Sequence, residues 1–421
     1  MANRFRDNKP RGLRPVQRIE LSEENAKRRF IVVVVLILIG ATAIAFGVGS
    51  LLSTEPGWQQ IEANPSDVSC ARDFVFNYYF EDKEISATKE QKALNNLYSS
   101  LCVDAYRLFN RYNGFDGVNN VYYINEHVGE QIEVDPALYK AFETVLANEN
   151  RYLYFGALNS EYEYNFFGSE DSPQSQDYDP YENAEMADYF AKLAAYACNP
   201  EHITLELLGD NNVKLVVSSE YSDFASENGI SVFIDFYRLQ NAFIVDFFAE
   251  KLIEKGYTKG SISSYDGYVR CLDTRGEIFA MNLFDKRGDE VYNAAKIAYR
   301  GPMAIVNLRA FPMGENDSFY FYIRSDGKVI TPYVDKDGLY RAATQSMVSY
   351  SKDQSCAQVA ISMLDVFVAK EFDTEALLAL EKQGISSVWF DDLEICRSNM
   401  GLIVTDLYDD GKVKYTLKYN D

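Results

Sequence analysis

The chain has 421 residues but only two histidines, His127 and His202. That scarcity excludes histidine-rich metal sites and disfavours a Ser-His-Asp triad. Lys and Arg number 41 against 63 Asp and Glu, a net charge of -22, and this balance excludes nucleic acid as a partner. None of the six cysteines stands in a C-x-x-C pair, which argues against zinc and thioredoxin-like sites. No internal repeat is found. What is present is a chain that is 47% hydrophobic, with 31 Tyr and 27 Phe, enough to build a core and well suited to strands.

The N-terminus carries the clearest local signal. Residues 1–29 hold nine Lys and Arg against four acids, and 30–52 (FIVVVVLILIGATAIAFGVGSLL) hold no charge. As a helix that run spans roughly 35 Å, enough to cross a hydrocarbon core of about 30 Å. A cleaved signal peptide is the competing reading, but its apolar region is shorter. Lys27-Arg28-Arg29 beside the run predict a cytoplasmic N-terminus at the plasma membrane, and so an extracellular remainder. The expected organisation is a basic cytoplasmic tail at 1–29, a single transmembrane helix at 30–52, a linker at 53–67 and an outer domain at 68–421. All six cysteines (Cys70, Cys102, Cys198, Cys271, Cys356, Cys396) fall in that domain. Two readings stand for them, disulfides or small buried hydrophobes.

Periodicity organises the rest. FVFNYYF (74–80) reads as a strand, 88–111 as a helix with Leu94, Leu97, Leu101 and Leu108 on one face, and 136–149 as a second helix. The acidic stretch 169–185 lacks the spacing of a calcium loop and reads as a solvated insertion. KLVVSS, SVFIDF, YVRCLD, IFAMNLF, AIVNLRAF, SFYFYIR and MVSYS read as strands. A helix follows at 354–370, then TEALLALEKQ with Gly384 at its C-terminal stop, and last a hairpin turning at Asp410-Gly411. Strands and helices mix without βαβ alternation, so the expected class is α+β.

Several segments, in order, resemble the ApbE family of FAD:protein FMN transferases. YYIN (122–125) ends on the asparagine of that family's S-E-[IL]-x-x-[LI]-N segment, here Asn125, and VDPALYKAFETVLA (134–147) resembles its following helix. DFYRLQNAFIVD (235–246) aligns without gaps on D-L-G-G-I-A-K-G-Y-A-V-D, and SSYDGYV (263–269) on the N-x-G-G turn. SDGKVITPYVDKDG (325–338) and MVSYSKDQSCAQVAISMLDVF (347–367) resemble the histidine-containing strand and the helix opening D-A-x-x-T. The resemblance covers nearly the whole outer domain. It implies a two-lobed mixed α/β fold, tethering outside a bacterial membrane, and transfer of FMN from FAD to Thr or Ser of a partner protein with Mg²⁺.

The chemistry-bearing positions depart from that pattern. Asp235 and Asp246 keep the motif's ends, but its two glycines fall on Tyr237 and Arg238 and its Lys-Gly on Asn241-Ala242. Glycine admits close approach of a ligand to the backbone, and lysine supplies charge beside a pyrophosphate. The two metal-ligating positions hold Cys356 and Ala360, a soft thiol and a methyl where a hard cation needs oxygen. The histidines fall on Thr331 and Pro332, Asp335 is kept, and the turn glycines become Asp266-Gly267. The expectation is a catalytically inactive relative, with no catalytic and no metal-binding residue, acting as an interaction or assembly component with membrane and cell-surface partners. Two alternatives stand: an active transferase with a rewired site using FAD and Mg²⁺, and a surface protein binding flavin or another nucleotide. The inherited cleft would comprise Asn125, Arg238, Asn241, Asp246, Asp266 and Gly267.

Overall fold

The strand Ser346–Ser351 is buried at every position, which requires cover on both faces of its sheet. The computed structural model describes residues 56–419 except 82–83, 148–150, 168–174, 314–316, 318–320, 325 and 400. The basic tail and the apolar run 30–52 lie outside the described residues. Among the described ones, no helix is long and apolar enough to cross a membrane.

A nine-stranded sheet forms the centre, and its strands lie side by side in chain order. They are β1 (Gly57–Ile61), β2 (Phe74–Phe80), β3 (Gly260–Ser264), β4 (Tyr268–Cys271), β5 (Met303–Arg309), β6 (Ser346–Ser351), β7 (Ser386–Asp391), β8 (Glu394–Arg397) and β9 (Thr416–Tyr419). Neighbours are antiparallel except β8 and β9, which are parallel. Strand alternation divides the apolar residues between two cores. On β5, Ala304, Val306 and Leu308 join one core, while Met303 and Ile305 join the other.

The larger core contains the apolar faces of helices α1 (Glu84–Leu108), α2 (Gln240–Glu254) and α3 (Cys356–Phe367). The smaller one lies under the long hairpin Ile278–Arg287 and Glu290–Arg300, which Ile403–Thr405 extends to a three-stranded sheet. A further small sheet joins Gln131–Glu133, Asn212–Val217 and Ile203–Gly209. The mixed α/β class expected from the sequence is the one observed.

Several local expectations are corrected. GWQQI, inside the stretch read as a linker, is edge strand β1, whose Trp58 packs edge-on against Tyr79 and Phe279 at 5.8 and 5.5 Å. SVFIDF forms no strand, and its last residue, Phe236, already has helical backbone angles. The C-terminal hairpin forms at Gly411 as expected, its arms pairing at Asp409 and Lys414, but further out Ile403–Thr405 joins the long hairpin and β9 joins β8. The acidic insertion is anchored as well as solvated. Asp179 is fully buried and accepts from Arg324 Nη1 at 2.5 Å and Lys328 Nζ at 2.9 Å. Five of the six cysteines are buried, as the reading of small buried hydrophobes expects, and Cys198 is half-buried.

Candidate functional site

The segment 231–236 carries strand-forming residues without a strand partner, so its backbone groups need other partners. Asn125, in the short helix Val121–Glu126, supplies them. Its Oδ1 accepts from the amides of Phe233 and Ile234 at 2.9 and 3.0 Å, and its Nδ2 donates to the carbonyls of Ile234 and Val121 at 3.0 and 3.1 Å. The whole amide is spent on backbone. The next residue, Asp235, is fully buried and forms an ion pair with Arg111. Arg111 also pairs with Glu163. Burial pulls the guanidinium down, while Asp235 and Glu163 beside it push it above its ordinary value.

The chain then turns at Tyr237, whose φ is +37°. This is the position where the resemblance places glycine. An L residue in the left-handed region costs roughly 1–2 kcal/mol, so this turn holds Tyr237 in a backbone form that glycine would adopt freely. Asp235 holds it there, accepting from the Tyr237 amide at 3.0 Å. Phe236 anchors the other side against Phe109, Phe142 and Phe243, with ring centroids 4.8–5.3 Å apart.

The side chains of this turn occupy the space that its glycines would leave open. The Arg238 guanidinium lies 4.5 Å from the Tyr237 ring centroid and 5.3 Å from that of Phe167. The Arg238 carbonyl accepts from Tyr268 Oη at 2.5 Å. Burial pulls the Arg238 guanidinium down, and Tyr237, Tyr333 and Asp266 carry it above its ordinary value. Asn241, at the lysine position, donates to Asp266 Oδ2 at 3.0 Å.

Two voids of about 20 Å³ each adjoin the turn among the described residues, one lined by Arg238, Asp266, Tyr268, Arg309, Pro332 and Tyr333, the other by Phe155, Asn159, Tyr237, Pro332 and Leu364. Each has room for about one water. Small-molecule sites occupy about 300–1,000 Å³.

Asp266 is raised to about 6, by burial against the opposing influence of Ser264, Asn241 and Arg238. In the unfolded chain it titrates near its ordinary 3.8, so between about pH 4 and pH 6 the folded form binds more protons and stability falls as pH rises. Asp266→Asn should therefore be more stable than wild type at pH 7 by roughly 2 kcal/mol, the gain shrinking towards pH 4. Urea unfolding of both proteins across that range checks this, and a constant difference would contradict it.

Gly267 is fixed by the fold. Its φ is +106°, and a Cβ there would lie 2.1 Å from the Asn307 carbonyl oxygen on β5.

Asp246, the far end of the same motif, sits at the N-terminus of α3. Its Oδ1 accepts from the Cys356 amide at 2.9 Å and Arg270 Nη1 at 3.1 Å, and its Oδ2 accepts from the Ala357 amide at 2.8 Å. Burial pushes this carboxyl up, and Arg270 with the two amides holds it back. Ser355 completes the helix start with a capping box to Gln358. A groove of about 290 Å³ opens alongside, lined by Lys140, Phe247, Arg270 and Ser355.

The positions that the resemblance assigns to Mg²⁺ do not fit the ion. The Cys356 thiol is fully buried and donates to the Val269 carbonyl at 3.0 Å, and burial pushes it well above its ordinary value, with Asp246 adding to the rise. Ala360 is 1% exposed and presents a methyl to the core. Among the described residues, no three or more His, Cys, Asp or Glu side chains converge as ligands would. Thr331 is buried, Pro332 lines both small voids, and Asp335 pairs with Arg341.

Of the expected cleft residues, Arg238, Asn241, Asp266 and Gly267 are brought together, Asp246 stands at the start of α3, and Asn125 serves the segment before the turn. Arg111, Glu163 and Arg270 were not anticipated from the sequence. Arg111 pairs with Asp235 across 124 positions, and no local pattern marks such a partner.

No protein-family model matches the sequence, and no curated protein matches it. Solved structures do. The ApbE protein of Thermotoga maritima is 13% identical with a TM-score of 0.52, over 85% of this chain and all of that one. The flavin transferase ApbE of Vibrio cholerae is 12% identical with a TM-score of 0.49, over 80% and 94%. The flavinyl transferase ApbE of Pseudomonas stutzeri is 11% identical with a TM-score of 0.47, over 84% and 95%. On the first of these comparisons, the described part of this chain has the ApbE fold.

Proposed function

We propose that this chain is a membrane-anchored, outward-facing relative of the flavin transferases that has lost flavin transfer and serves as an interaction or assembly component at the cell surface. The observation that carries the reading is the filled cleft. Among the described residues, the turn at 237–239 and Pro332 of the facing segment enclose two voids of about 20 Å³ each, far smaller than a flavin needs. Phosphoryl transfer depends on positioning and on stabilising negative charge as it spreads. Here the lysine position holds Asn241, committed to Asp266, and the metal positions hold a buried thiol and a methyl. Loss of one electrostatic contact typically costs about 10²–10³ in rate, and these losses fall together.

The anchor is supported by the apolar run 30–52 and its basic flank, and partners at the membrane follow from that placement. The test is co-expression with an acceptor protein bearing the family's target threonine. The expected outcome is no fluorescent flavin band on the acceptor, with a flavin-transferring ApbE protein labelling it in parallel. A band produced by the unmodified chain and abolished by EDTA would establish an active transferase instead.

A further inference from the structure

We propose that Cys70 and Cys102 form a disulfide bond, a covalent modification site that ties the segment entering the fold to helix α1. Cys70 immediately precedes the single 3-10 turn Ala71–Asp73 that leads into β2, and Cys102 lies in the last third of α1. Both are buried, at 7% and 0% exposure. The Cys70 amide and thiol both donate to the Cys102 carbonyl, at 3.4 and 3.3 Å. These bonds set the two residues directly side by side, the adjacency that a disulfide needs.

The neighbouring Cys102 thiol is also the largest of the influences that push the Cys70 thiol up, ahead of burial. The other cysteines with sulfur hydrogen bonds make no such pairing: Cys198, Cys356 and Cys396 donate to the carbonyls of Lys336, Val269 and Glu394.

The position gives the bond a mechanical meaning. β1 and β2 form the edge hairpin of the nine-stranded sheet, and β1 is the first described element after the N-terminal residues. Pulling on that terminus loads this edge before any other part of the sheet. A link from Cys70 to α1 closes a loop containing β2, so that segment cannot be drawn away from the core without breaking a covalent bond. The proposal rests on this geometry and does not depend on the loss of flavin transfer.

The oxidant is a disulfide-containing molecule, for which oxidised glutathione is the probe. One cysteine loses its proton and its thiolate attacks glutathione disulfide, releasing one glutathione and leaving a mixed disulfide. The second thiolate then attacks the protein sulfur of that mixed disulfide and releases the second glutathione. Two protons leave the protein, and its two electrons end on the two glutathione thiols.

The full chain, reduced and then equilibrated with mixtures of oxidised and reduced glutathione, is quenched with acid, unfolded, alkylated and mapped by mass spectrometry. The expected result is a loss of two hydrogens, a cross-linked pair of peptides containing Cys70 and Cys102, and alkylation at Cys198, Cys271, Cys356 and Cys396. The oxidised form should melt higher by several degrees, on the order of 5 °C. Cys70→Ser should abolish the cross-link and the melting shift together, and Cys396→Ser should leave both. Full alkylation of all six cysteines under oxidising mixtures would overturn the proposal. So would glutathione retained on Cys70 without exchange, or a cross-link from Cys70 to any other cysteine. Because the mapping is read on the unmodified chain, poor folding of a variant does not protect the idea.

Discussion

Gly267→Ala should unfold the protein or cost it on the order of 3–5 kcal/mol. Two independent facts set that size. The residue sits at φ +106°, outside the region that side chains adopt freely, and a Cβ would stand 2.1 Å from the carbonyl oxygen of Asn307. That oxygen belongs to the backbone of a central strand and cannot swing aside. The Asn307 amide also donates to the Gly267 carbonyl at 2.9 Å, so separating the two segments breaks a hydrogen bond as well. Gly411→Ala is the control. It shares a positive φ, +82°, but nothing lies within 4 Å of the added carbon. Its loss should be no more than about 1–2 kcal/mol. Equal losses for the two substitutions, read from urea midpoints, would show that the contact at Asn307 does not constrain the fold.

Asp246→Ala should be the most damaging removal of a single polar side chain, at about 3–5 kcal/mol. One carboxylate satisfies the first two amides of α3 and the Arg270 guanidinium. Deleting it leaves buried donors and a partly buried cation without their acceptor. Asp246→Asn keeps an acceptor oxygen but loses the charge opposite Arg270, so it should fall between wild type and the alanine variant. The double change Asp246→Ala with Arg270→Leu should recover part of the loss, because no unpaired guanidinium then remains. If the alanine variant unfolds at the wild-type urea concentration, the carboxylate does not hold α3.

The pairing of Asp246 with α3 shows where sequence reading succeeds and where it stops. Asp246 is visible in the sequence as the end of the motif DFYRLQNAFIVD. That it caps a helix 110 positions later could not be read locally. The same division runs through the fold. Gly384 ends a helix at φ +78° as its position in the sequence implied, because a C-terminal stop is a local event. SVFIDF has the composition of a strand, yet it forms none, and Asn125 and the Leu153 carbonyl satisfy the amides of Phe233, Ile234 and Asp235 from other elements. The Asp410-Gly411 turn was legible, but which sheets its two arms would join depended on open edges set elsewhere in the chain. GWQQI looked like linker because its polar residues mask an edge strand held by Trp58.

The site divides likewise. Loss of the lysine and of two glycines is visible in DFYRLQNAFIVD once the resemblance is drawn. That Tyr237 would adopt a left-handed backbone, with the Arg238 guanidinium over its ring, required the structure.

Calorimetric titration of FAD into the purified full chain, with and without Mg²⁺, tests the filled cleft most directly. The account predicts no saturable heat in either condition, because the voids between the turn and Pro332 hold about 20 Å³ each and the side chains at the metal positions offer no oxygen. Saturable binding in the micromolar range that requires Mg²⁺ and disappears with EDTA would contradict it, and would mean that the cleft opens to a working flavin site.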